Sequence, residues 1–111
     1  MRNIVKLPAV LVALITAQNE HNSQAFAEVF TNDALVHDEG KDYSGKAAIK
    51  AWNEGTNKKY NTRLEPEAMR EKGAEIILTV LVSGTFEGSP ITLEYHFRIK
   101  DSKIIYLNIT G

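Results

Sequence analysis

Apolar residues recur at helical spacing early in this chain and at every second position late in it. Val10, Leu11, Leu14 and Ile15 share one side of a helix and predict a first helix over Leu7–His21. Pro8 falls in its first turn, where a missing N–H costs little. Asn22-Ser23 reads as a break and an N-cap. A second helix follows, with Phe26, Val29 and Phe30 on one face, Ala25 and Ala27 favouring it, and Thr31-Asn32-Asp33 ending it. Leu35-Val36 has strand character, and Lys41–Gly45 reads as loop. A third helix is expected from Lys46 to about Lys58, capped by Ser44 and carrying Ala47, Ala48, Ile49, Ala51 and Trp52 as its apolar members.

From Thr62 onward the pattern changes to strands. Thr62–Arg70 is poorly patterned, and Pro66 marks it as an edge or a bulge. Ile76–Phe86 alternates, with Ile76, Leu78, Val80 and Val82 on one face and a mixed face opposite. Ile91–Ile99 alternates more sharply, and Ile104–Ile109 is the last strand. Helices followed by an antiparallel meander make an α+β fold, with helices packed on one face of a sheet. The face with Leu93, Tyr95 and Phe97 points inward. The opposite face carries Thr79, Leu81, Ser83, Glu94, His96 and Tyr106, too apolar for free solvent and too polar for a core. A partly wet homodimer interface is its expected use.

At 111 residues the chain is expected to be one domain, residues 1–111. The absence of cysteine removes disulfides, thiolate nucleophiles and cysteine zinc sites, and fits a reducing, cytoplasmic setting. A net charge of -1 gives no reason to expect nucleic acid or an anionic membrane as a partner. The N-terminus is ambiguous on local pattern. Met1–Lys6 followed by the apolar Leu7–Ala17 has the form of a signal peptide, or of a buried first helix. The apolar run is too short to span a bilayer.

The chemistry concentrates in Asn32–Gly40, where a short apolar strand ends in His37-Asp38-Glu39. Removing a proton next to a carbonyl needs a carboxylate in a largely apolar pocket, where burial keeps it basic. Asp38 is the candidate; the alternative is a carboxylate that caps the Gly40 turn or faces water. His37 precedes it on a strand and points to the other face, so the two make a poor dyad. His96 alternates with Glu94 and Arg98 on the outer face, and His21 sits at a helix C-terminus, where a cation is favoured. The three histidines lack metal-ligand spacing, and no phosphate loop or nucleophile elbow appears. Trp52 and Tyr60 are placed to line a pocket mouth, although aromatics at helical spacing are more often core; Tyr43 is placed to lie over its entrance.

Phe30-Thr31-Asn32-Asp33-Ala34, Gly45 with Ile49 and Trp52, and Tyr95-His96-Phe97-Arg98-Ile99 with Lys103-Ile104 occur in an order that resembles the nuclear transport factor 2-like superfamily, in its SnoaL-like branch. The resemblance covers essentially the whole chain. It implies a cone, in which three N-terminal helices close a strongly curved, mostly antiparallel sheet over a pocket, and dimers form through the sheet's outer face. It also implies that the first helix stays, because cleavage after Ala17 would open the cone. Relatives include steroid isomerases, polyketide cyclases, dehydratases, epoxide hydrolases and non-catalytic binding domains, so the fold alone leaves function open.

Asp38 falls where the resemblance puts the general base of ketosteroid isomerases. Leu14 stands where those enzymes carry an oxyanion tyrosine. Tyr95 stands at about the place of their second acid, and its hydroxyl is able to donate to a developing oxyanion. The expected site therefore has Asp38 and Tyr95 as catalytic groups. Leu14, Tyr43, Trp52, Tyr60, Phe97 and Leu107 are its expected lining, with no metal and no cofactor. The expected function is acid–base chemistry of isomerase, cyclase or dehydratase type on a small hydrophobic carbonyl compound. The alternatives are a non-catalytic small-molecule-binding domain and a dimeric accessory domain.

Overall fold

The computed structural model describes residues 6–111. Within them the chain runs α1 (Ala9–Asn19), α2 (Ser23–Glu28), β1 (Phe30–Asp38), β2 (Lys41–Ser44), α3 (Lys46–Tyr60), β3 (Arg63–Lys72), β4 (Glu75–Ser83), β5 (Ile91–Lys100) and β6 (Lys103–Thr110). The fold is α+β: helices cover one face of a six-stranded sheet of order β2-β1-β6-β5-β4-β3. Every pairing is antiparallel except β1 with β6. The sheet curls into a cone but does not close.

The apolar stripe read from the sequence builds α1. Leu11 and Leu14 are fully buried, and Ile15 and Ala17 nearly so. Removing a fully buried leucine from water contributes roughly 1.5–3 kcal/mol, so α1 is a working part of the core. The basic start, Met1–Val5, lies outside the described residues. Among the described residues no helix is long and apolar enough to cross a membrane. Asn22 caps α2 as expected, its side chain accepting from the Ala25 N–H at 3.0 Å.

Three local expectations are corrected. Helix α2 stops at Glu28, and Phe30 with Thr31-Asn32-Asp33 belongs to β1 instead. Pairing decides this: Phe30 stands opposite Ile104, and the Ile104 N–H donates to the Val29 carbonyl at 2.9 Å. Lys41–Ser44 is strand β2, not loop, joined to β1 by the two-residue turn Glu39-Gly40. Both turn residues have positive φ, 53° and 75°, the geometry that matches the twist of a tight hairpin. The cap of α3 is Gly45 rather than Ser44, with the Gly45 N–H tied to the Ala34 carbonyl at 2.8 Å. Pro66 does mark an edge and a bulge: β3 is an outer strand, and its register shifts between Pro66 and Ala68.

The narrow end of the cone is filled by Phe26, Phe30, Val36, Leu78, Phe97 and Leu107, all 0–2% exposed. Beside this core runs a buried polar seam. Asn53 on α3 donates to Gln18 Oε1 at 2.7 Å and accepts from Ser23 Oγ at 2.6 Å. Gln18 in turn donates to Asn57 Oδ1 and to the Thr62 carbonyl. No buried described side-chain polar atom is left unpartnered, so the seam ties the three helices to one another and to Thr62 just before β3, its hydrogen bonds offsetting the cost of burying polar groups. On the outer face, Arg70 pairs with Glu94 at 2.9 Å, and His96 lies 3.7 Å from Glu75.

Candidate functional site

Strand alternation sets which side chains reach the inside of the cone. In β1, Val36 points in, His37 out and Asp38 in again. The parallel register Val36↔Leu107 and His37↔Asn108, carried one residue further, sets Asp38 beside Ile109. Ile109 stands opposite Tyr95. Asp38, Ile109 and Tyr95 thus form one inward row across three neighbouring strands, its ends about 10 Å apart in backbone. Opposite Val36, β2 turns Tyr43 inward, where it stacks on Trp52 with ring centroids 5.6 Å apart.

The far wall is one face of α3. Trp52, Gly55, Thr56, Lys59 and Tyr60 border the cavity at the spacing of successive helical turns. The turn after β4 brings Phe86 edge-on to Tyr60, centroids 5.8 Å apart. That turn is held tightly: the Thr85 N–H donates to the Tyr60 carbonyl at 2.6 Å. A Cβ on Gly84 would clash with the same carbonyl oxygen, so only glycine allows the approach. Together these groups line a half-open cavity of about 520 Å³, with Val82, Leu93 and Ile109 completing apolar walls.

Asp38 is half-buried, and its carboxyl is pushed above the ordinary value of 3.8. Burial is the main cause and the charge of Glu39 adds to it; hydrogen bonding from the Trp52 indole and the charge of His37 offset part of the rise. Tyr95 is 7% exposed, and its phenol is raised well above the usual range, first by burial and then by the charge of Asp38. Its hydroxyl therefore stays protonated, and makes no hydrogen bond among the described residues. The cavity thus holds a carboxylate that accepts protons more readily than usual, and a neutral donor free to meet a ligand.

Of the residues expected at the site, Asp38, Tyr95, Tyr43, Trp52 and Tyr60 border the cavity together. Leu14, Phe97 and Leu107 do not; this corrects the expected lining. All three are fully buried in the packed narrow end, where Leu107 stands opposite Phe97 and Val36, one inward row deeper than Asp38. The sequence reading missed Glu39, Gly55, Thr56, Lys59, Phe86 and Ile109. Helical spacing from Trp52 pointed to Gly55, Thr56 and Lys59, but their polar or featureless side chains gave no apolar signal. None of the histidines enters the cavity: His37 pairs with Asp42, His96 joins the outer acidic cluster, and His21 bonds the Thr62 carbonyl at 2.8 Å. Among the described residues no cluster of three or more His, Asp or Glu side chains could hold a metal ion.

The model of the SnoaL-like domain matches residues 11–107. The chain belongs to the SnoaL-like domain family. A Sinorhizobium meliloti protein provisionally described as a polyketide cyclase is 36% identical, with a TM-score of 0.89 over 94% of this chain and 95% of that one. A Catenulispora acidiphila protein with a ketosteroid isomerase-like fold, solved with trimethylamine, is 18% identical, with a TM-score of 0.84 over 96% and 87% of the two chains. SalBIII, an epoxide hydrolase/cyclase-like enzyme of pyran ring formation in salinomycin, is 20% identical, with a TM-score of 0.78 over 91% and 86%. The last two share the fold of this SnoaL-like domain. No curated protein sequence matches the chain.

Proposed function

We propose that the cavity performs acid–base chemistry, of the isomerase, cyclase or dehydratase kind, on a small hydrophobic carbonyl compound. The observation that carries this reading is the convergence of a desolvated Asp38 and an unpartnered Tyr95 hydroxyl on one apolar cavity. Asp38 removes a proton from the carbon next to the carbonyl. Charge moves to the carbonyl oxygen, which accepts a hydrogen bond from Tyr95. The enolate then takes the proton back at another carbon, expels a β-substituent or attacks an internal electrophile. Similarity to the Sinorhizobium meliloti protein supports the cyclase version.

The test is deuterium exchange at the carbons beside the carbonyl of 2-decanone, followed by proton NMR in D₂O. Exchange above the buffer rate that rises with pH through the raised Asp38 pKa, and is lost in Asp38→Asn, supports the reading. A ketone that binds without exchange overturns it and leaves a non-catalytic binding pocket. One feature favours that second reading: Leu14 stands where the resemblance puts the isomerases' oxyanion tyrosine, so of the two places at which those enzymes carry a donor only that of Tyr95 carries one here. For the outer sheet face we propose pairing of two copies, supported by its half-buried Leu81 and Tyr106 among Glu94, His96 and Arg98. Sedimentation velocity tests it, and a monomer at tens of micromolar overturns it.

A further inference from the structure

Three charged side chains border the cavity, and they are segregated. Asp38 and Glu39 lie at one end, at the tip of β1. Lys59 lies at the other, near the end of α3. Trp52 contacts Asp38, and α3 rises about 1.5 Å per residue, so Lys59 sits roughly 10 Å further along the helix. Among the described residues Lys59 pairs with no carboxylate, whereas Lys50 on the same helix pairs with Glu54 at 3.3 Å. Its ammonium lies 5.1 Å from the centroid of the Tyr60 ring, itself braced by Phe86. The lone cation of the cavity therefore stands beside the end lined by Tyr60 and Phe86, about two helical turns from the two acids.

Such a charge layout orients a ligand. An anionic group at the β1 end would meet the charge of half-buried Asp38, with exposed Glu39 beside it, and like charges repel. The same group at the Tyr60 end meets Lys59. We propose that the natural ligand is a hydrophobic carbonyl compound bearing a carboxylate at its far end, with the carboxylate at Lys59 and the carbonyl between Asp38 and Tyr95. The carbonyl end rests on the function proposed above; the carboxylate end rests on Lys59 alone.

The probes are 9-oxodecanoate, whose extended chain separates ketone from carboxylate by a comparable length, and its methyl ester. Trp52 is the single tryptophan and borders the cavity, so its fluorescence reports binding of both. The acid is expected to bind more tightly than the ester at low salt, with the preference erased at high salt. Lys59→Gln is expected to weaken the acid by about 2–5-fold, the range of a solvent-exposed ion pair, and to leave the ester unchanged. Lys59→Arg keeps the preference and Lys59→Glu inverts it. Equal binding of the two probes overturns the proposal, as does an equal loss of both in Lys59→Gln, which would mark Lys59 as a structural helix-end cation. If the probes bind equally while Asp38-dependent exchange persists, the carboxylate inference fails and the catalytic reading stands. If the acid binds through Lys59 without exchange, the reverse holds.

Discussion

Gly55 lies inside α3, where a glycine costs about 0.8–1.0 kcal/mol relative to alanine. No close packing calls for it: a Cβ at this position would meet nothing within 4 Å. It does border the cavity. The helix therefore forgoes stability at a position that borders the cavity and has open space around it. Gly55→Ala is expected to stabilise the fold by about 0.5–1 kcal/mol, because it restricts the unfolded chain and adds no clash. For 111 residues the unfolding entropy near the midpoint is about 0.23 kcal/mol/K, so Tm should rise by about 2–4 °C. Differential scanning calorimetry, with urea melts as a check on two-state behaviour, reads this directly. An unchanged or lower Tm would refute the reasoning, since it would mean that Gly55 is held by packing or backbone demands. Gly55→Leu sharpens the functional half. It keeps good helix propensity, projects a branched side chain towards the cavity, and should weaken Trp52-detected binding of 2-decanone while the protein stays folded. Undiminished binding would show that the ligand sits elsewhere.

Gly84→Ala should act in the opposite sense. Its Cβ forces the Tyr60 carbonyl away and loosens the Thr85 bond, for a loss of about 1–3 kcal/mol by urea melt. Asp38→Asn tests the electrostatics. A carboxyl with a raised folded-state pKa destabilises the fold fully above that pKa, and the penalty fades as pH falls through it towards 3.8. The variant should therefore melt higher than the wild type at pH 7 and equal to it near pH 3, and a constant difference would remove burial as the cause. Tyr95→Phe deletes a hydroxyl with no described protein partner, so it should leave stability unchanged while lowering the exchange rate by about 100-fold. Asn53→Ala strands buried partners on Gln18 and Ser23 and should cost about 2–4 kcal/mol by calorimetry.

Periodicity determined much of this protein by itself. The apolar stripe of α1, the alternation of β4 and β5 and the turn at Lys100–Lys103 are local patterns, and each names its element and its inward face. The inward placement of Asp38, Tyr43 and Tyr95 also follows, once their strands are granted. Two things did not follow. The path from Val29 to Ser44 is not legible locally because β1 is made by pairing with β6, some seventy residues away, and no local propensity of Phe30-Thr31-Asn32 announces that partner. The lining of the cavity is not legible either, because depth along a cone is a tertiary quantity. Leu14, Phe97 and Leu107 have the right direction and the wrong level, and only the packed helices decide where the core ends. The same is true of Lys59. In the sequence it is one of two lysines at the end of a helix, and it is the docking of α3 over the sheet that turns this one towards the cavity.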